Sequence, residues 1–114
     1  MLRPVHITFR GMSPSPSVEQ AVHGWVARLE HSYGRIQSCA VVIELPHRHQ
    51  RHGNAFHVHV DVRVPGREIA VSREPGRGAH WDVYIAVADA FRAARRQLVD
   101  HARIRRGEVK RHVA

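Results

Sequence analysis

Apolar and polar residues trade places along this chain with two different periods, and the switches between them mark out six elements. Val5, Ile7 and Phe9 alternate with His6, Thr8 and Arg10, which predicts a first strand with one buried face. Gly11 to Pro16 holds two Ser-Pro steps, which disfavour helix before each proline and end the strand. The period then lengthens. Val18, Val22, Trp25, Val26, Leu29 and Tyr33 share one helical face, opened by a Ser17–Gln20 capping box and closed by Gly34. Gly24 within that helix costs about 1 kcal/mol relative to alanine.

Ser38 to Leu45 predicts a second strand with Cys39, Val41, Ile43 and Leu45 inward, because Glu44 belongs to the alternate set. After the polar tip Pro46 to Asn54, Phe56 to Val64 resumes with Val58, Val60, Val62 and Val64 on one face, so the two strands form a hairpin. Val64-Pro65-Gly66-Arg67 has the type II turn signature and returns the chain as a fourth strand, Glu68 to Arg73, with Ile69 and Val71 inward. A Pro/Gly-rich connection, Glu74 to Trp81, leads to Asp82, which suits a helix N-cap. From Asp82 to about Arg106, the residues Val83, Val87, Ala90, Phe91, Ala94, Leu98 and Ala102 recur at spacings of three and four, a single stripe on a long helix. The order β-α-β-β-β-α defines an α+β domain over residues 1–107, a four-stranded sheet with both helices packed on one face. Its first two strands are expected to be parallel. Residues 108–114 lack apolar periodicity and are expected to form a loose basic tail.

The formal charge of +8 and the pI of about 11.4 put an anionic partner first, nucleic acid ahead of membrane. No window approaches the ~18 apolar residues of a membrane span, and Met1 to Arg10 lacks the apolar core of a signal peptide, so a cytoplasmic protein is expected. The charge is concentrated. Arg92, Arg95, Arg96, Arg103, Arg105 and Arg106 lie mainly off the apolar stripe of the last helix, forming a ridge whose planar forks suit phosphate. Tyr84 lies off the same stripe beside them, placed to meet RNA, whereas Trp25 and Phe91 sit on apolar stripes and read as core. The single Cys39, set in an apolar run, reads as a packed thiol rather than a nucleophile.

The tip PHRHQRHGN offers two chemistries. Arg48 and Arg51 with the neighbouring histidines can contact RNA phosphates or stack on bases. His47, His49 and His52 are alternatively a set of metal ligands, as neutral imidazole binds zinc and nickel. The two arginines repel a cation and no CxxC or HExxH spacing is present, which favours RNA over metal.

Taken together, the opening ITFRG, the first helix ending near LEHSYGRI, the strand pair closing on VRVPG and the segment DVYIAVADAFRAARRQL resemble the ribosome hibernation-promoting factor and ribosome-associated inhibitor family, also called sigma-54 modulation proteins. The most specific match is Asp82, Tyr84 and Ala86 at the start of the last helix, followed by Asp89 and the RRQL at 95–98. The resemblance implies the same β-α-β-β-β-α fold. It also implies binding to the small ribosomal subunit and its rRNA, in the channel used by mRNA and tRNA, with translation stopped. It implies no catalysis, no cofactor and no small-molecule substrate. With the chain ending soon after the second helix, the resemblance is to the short members, which lack a C-terminal dimerisation domain. The histidine-rich tip and the lengthened Arg77 to His80 connection depart from the common pattern. Other classes are a double-stranded RNA-binding module, which would take plain duplexes, and a metal-dependent hydrolase, for which a small sheet covered on one face offers no converging site.

Overall fold

The computed structural model describes residues 4–46, 56–73 and 82–113, with the backbone alone at Arg73 and at 105–113. Six elements follow in the expected order: β1 (Val5–Arg10), α1 (Pro16–Ser32), β2 (Ser38–Glu44), β3 (His57–Val64), β4 (Arg67–Arg73) and α2 (Val83–Val113). The strands lie in the order β1-β2-β3-β4. β1 runs parallel to β2, as a strand-helix-strand connection requires, and the other two pairings are antiparallel.

Register turns the alternating residues into rows across the sheet. Val5, Cys39, Val62 and Ile69 form one row, and Ile7, Val41, Val60 and Val71 the next. Because side chains alternate in direction along a strand, both rows point to one face. There they meet Val18, Val22, Val26 and Leu29 of α1 and Val87, Ala90, Phe91, Ala94 and Leu98 of α2 in a single core. Burying each large apolar side chain stabilises the fold by roughly 1.5–3 kcal/mol relative to exposure. That gain holds both helices against the same side of the sheet.

Local chemistry sets the element ends, in two places differently from the sequence pattern. The N-cap of α1 is Ser15, whose Oγ accepts from the Val18 N–H at 3.3 Å, not Ser17. Pro16 fits the first helical position, where its fixed φ is preorganised and its missing N–H costs nothing, so the cap moves upstream. The helix ends at Tyr33, which adopts an extended conformation while its N–H still donates to the Leu29 carbonyl. Gly34 is therefore not a left-handed cap. Gly66 does adopt φ +81°, the value the third position of a type II turn requires. A Cβ built at Gly24 meets nothing within 4 Å, so no close packing offsets the conformational cost of that glycine.

At the C-terminus α2 continues to Val113, where the fading apolar stripe predicted a loose segment. No proline interrupts 99–113, and residues such as Glu108, Lys110 and Arg111 are good helix formers that offset the cost of Gly107, so backbone hydrogen bonding carries the helix past its packed portion.

The second face of the sheet is polar. His59 hydrogen-bonds Ser72 Oγ at 3.0 Å and Asp61 Oδ2 at 3.1 Å. His57 lies 3.7 Å from Glu44, and Arg63 donates to Glu68 at 3.4 Å. Pairs this exposed contribute little to stability.

Candidate nucleic-acid interface

At 100° per residue, Arg92, Arg95, Arg96, Arg103 and Arg106 occupy a sector of roughly 100° on α2, while Asp89 and Asp100 fall just beyond its edge. Arg92, Arg95, Arg96 and Arg103 are all exposed. Among the described residues, Arg96 and Arg103 form no ion pair, which leaves their guanidinium donors available. Arg106 lies within α2 but its side chain, like that of Arg105, is outside the described residues. So are the tip residues Arg48, Arg51, His47, His49 and His52. Among the described residues no group of His, Cys, Asp and Glu converges to hold a metal.

The ridge does not stand alone. The Tyr84 hydroxyl is 2.8 Å from Ser17 Oγ, and Arg95 Nε donates to Ser32 Oγ at 3.3 Å. Ser17 opens α1 and Ser32 closes it, while Tyr84 precedes Arg95 along α2, so the helices run side by side in the same direction. Asp82 caps the start of α2, its Oδ1 accepting from the Tyr84 and Ile85 N–H groups at 2.8 and 3.4 Å. This cap fixes the first turn and with it the position of Tyr84, which is 46% exposed.

Between the helices, near the C-terminal end of α1, lies a groove of about 570 Å³. Trp25, Leu29 and Phe91 contribute its apolar floor, and Arg28, His31, Arg92 and Arg95 its rim, with no acidic residue in the lining among the described residues. Trp25 stacks on Phe91 with ring centres 6.2 Å apart and planes inclined by 14°. The Arg28 and Arg92 guanidinium carbons lie 4.6 and 5.4 Å from the centre of the Trp25 ring, within cation–π range. Stacking restrains both side chains while their N–H edges remain available to an anion.

Sequence pattern brought Arg92 and Arg95 into view but missed Arg28, His31 and Ser32. Their signal is spacing. Arg28, His31 and Ser32 follow Trp25 at offsets of three, six and seven along α1, flanking its apolar stripe on the side that α2 approaches. Trp25, read as core, is only half-buried, because part of its ring forms the groove floor. The Cys39 assignment needs no such correction. Burial, with a smaller contribution from the charge of Asp61, pushes its thiol up to about 12, which keeps it protonated and unreactive at neutral pH.

These features define a two-layer α+β domain with a polar sheet face on one side and a cationic two-helix face on the other. The chain belongs to the family described as sigma 54 modulation protein / S30EA ribosomal protein, whose sequence profile matches residues 5–106. The resemblance seen in the motifs is thereby borne out. Among solved structures, it is similar to a ribosomal subunit interface protein from Coxiella burnetii, at 17% identity and a TM-score of 0.71, covering 87% of this chain and 97% of that one. It is also similar to the Protein Y N-terminal domain of Thermus thermophilus, at 18% identity and a TM-score of 0.61, covering 85% and 92%. At these identities the likeness shows the fold. No curated protein sequence matches the chain.

Proposed function

We propose that the protein docks on the small ribosomal subunit, in the channel that mRNA and tRNA use, and keeps ribosomes idle during hibernation or stress. As a member of its family it is one of a group of ribosome-associated factors. The observation that carries the proposal is the exposed arginine sector of α2, continued across the helix seam by Arg28 and His31 of α1. Guanidinium forks hold phosphate oxygens bidentately. A rigid face presenting several of them matches the phosphate array of folded rRNA better than it matches a single small ligand.

In this proposal Arg92, Arg95, Arg96, Arg103 and Arg106 contact rRNA phosphates, Tyr84 contacts RNA at the far end of the seam, and Arg48 and Arg51 reach it from the tip. Inhibition needs no bond making. A folded domain in the channel excludes mRNA and tRNA by occupying their space, and salt-sensitive phosphate contacts hold it there. Among the described residues no helix is long and apolar enough to cross a membrane, which accords with action where ribosomes work. Competition tests the location. Small subunits preloaded with mRNA and initiator tRNA should take up the protein at least tenfold more weakly than empty subunits, and equal uptake would place it elsewhere on the ribosome.

A further inference from the structure

The groove between α1 and α2 has a composition that phosphate binding alone does not require. A cationic surface for backbone phosphates needs no aromatic floor, yet Trp25 is held half-exposed there, against Phe91 and beneath two guanidinium groups. We infer that this groove takes one unpaired base of the RNA strand, stacked at Trp25 and its overlying arginines, with the flanking phosphates on Arg95 and the rim cations. The inference rests on the RNA-binding function proposed above and specifies the form of RNA that the site selects.

Three observations point to an unpaired base. A continuous duplex keeps its bases inside the stack and offers only sugar and phosphate edges, so it would leave the half-exposed Trp25 ring and the guanidinium planes over it without a stacking partner; splayed-out bases stack on aromatic rings and on guanidinium planes. The volume of about 570 Å³ falls within the ~300–1,000 Å³ of sites that enclose small molecules, which gives room for one nucleotide. Among the described residues the lining carries Arg28, His31, Arg92 and Arg95 and no carboxylate, so the charge complements a base still attached to its phosphates. The Arg95–Ser32 hydrogen bond uses the Nε donor of the guanidinium, which leaves its terminal N–H groups for a phosphate oxygen.

Trp25 also provides the reporter. The chain has two tryptophans, so a Trp81→Phe background leaves Trp25 as the sole source of indole fluorescence. The full-length protein is titrated with a hairpin RNA bearing an unpaired purine loop, a blunt duplex of equal length, and AMP, with RNA binding followed separately by anisotropy of a label on the RNA. The hairpin is expected to quench Trp25 at saturation, while the duplex and AMP leave it unchanged. Trp25→Leu, which keeps apolar bulk against Phe91 but removes the ring beneath Arg28 and Arg92, is expected to weaken hairpin binding by roughly tenfold, the size of one base stack, and duplex binding by a clearly smaller factor. Equal quenching by the duplex, or full hairpin affinity in the Leu variant, would overturn the inference while leaving the RNA-binding function standing. Quenching by AMP as strong as by the hairpin would overturn it in favour of a free nucleotide. Failure to bind either RNA or isolated small subunits would remove both the inference and the function on which it rests.

Discussion

The hydroxyl of Tyr84 sits 2.8 Å from Ser17 Oγ, tying the first turn of α2 to the first turn of α1. At the other end of α1, Arg95 is hydrogen-bonded to Ser32. These two contacts, with Trp25 and Phe91 stacked between them, set the spacing of the seam on which the cationic face is built.

Tyr84 thus carries two separable roles. Tyr84→Phe removes the hydroxyl but keeps the ring, and should lower stability by about 0.5–1 kcal/mol, the net worth of an ordinary hydrogen bond, with affinity for small subunits unchanged. Tyr84→Ala should also weaken binding by roughly fivefold or more if the ring meets a base. Denaturation curves and a binding isotherm on both variants check this, and normal affinity in the Ala variant would restrict Tyr84 to the helix seam.

Two glycines should respond in opposite directions to the same substitution. Gly24→Ala adds a methyl into open space on a helix and is expected to stabilise the protein by about 0.5–1 kcal/mol. Gly66→Ala also meets no atom, yet the backbone there holds φ +81°, so it should destabilise by about 1–2 kcal/mol. Chemical denaturation of the pair tests the distinction between space and conformation directly.

The buried Cys39 thiol makes stability depend on alkaline pH. Its folded pKa is raised from 9.0 to about 12, so between those values the folded state holds a proton that the unfolded chain releases. Stability from this group is complete below pH 9 and is lost as pH rises toward 12, at about 1.4 kcal/mol per pH unit. Cys39→Ala should flatten that slope despite a lower stability at neutral pH. In the wild type, thiol reagents at pH 8 should label Cys39 only on unfolding, and rapid labelling of the folded protein would contradict the burial.

Element order and core were legible because each strand alternates cleanly and each helix carries one continuous stripe. Val41, Val60 and Phe91, all 0% exposed, were assigned inward from spacing alone. Features that depend on how two helices are rotated against each other were not. Nothing in the periodicity of α1 says that Arg28 and His31 meet Arg92, or that Trp25 ends half-buried, since the same stripe would serve a helix rolled by a fraction of a turn. The displaced N-cap was hidden because Ser15 and Ser17 are chemically equal candidates, and only the preference of Pro16 for the first helical position separates them. The extension of α2 beyond its packed portion leaves no hydrophobic trace, because a solvated helix needs no apolar stripe, and Gly107 within it lowers helix propensity without ending the helix.

The most direct test of the central claim is co-sedimentation of the protein with purified small subunits across a salt series, comparing wild type with an Arg92→Ala/Arg95→Ala/Arg96→Ala variant. Wild-type affinity should fall linearly on a log-log plot, and the variant should bind more weakly with a slope shallower by about 2–3, near 0.7–0.9 for each phosphate contact removed. Large subunits should not take up either protein. An unchanged slope in a folded variant, or wild-type binding indifferent to salt, would contradict the assignment of this helix face to RNA.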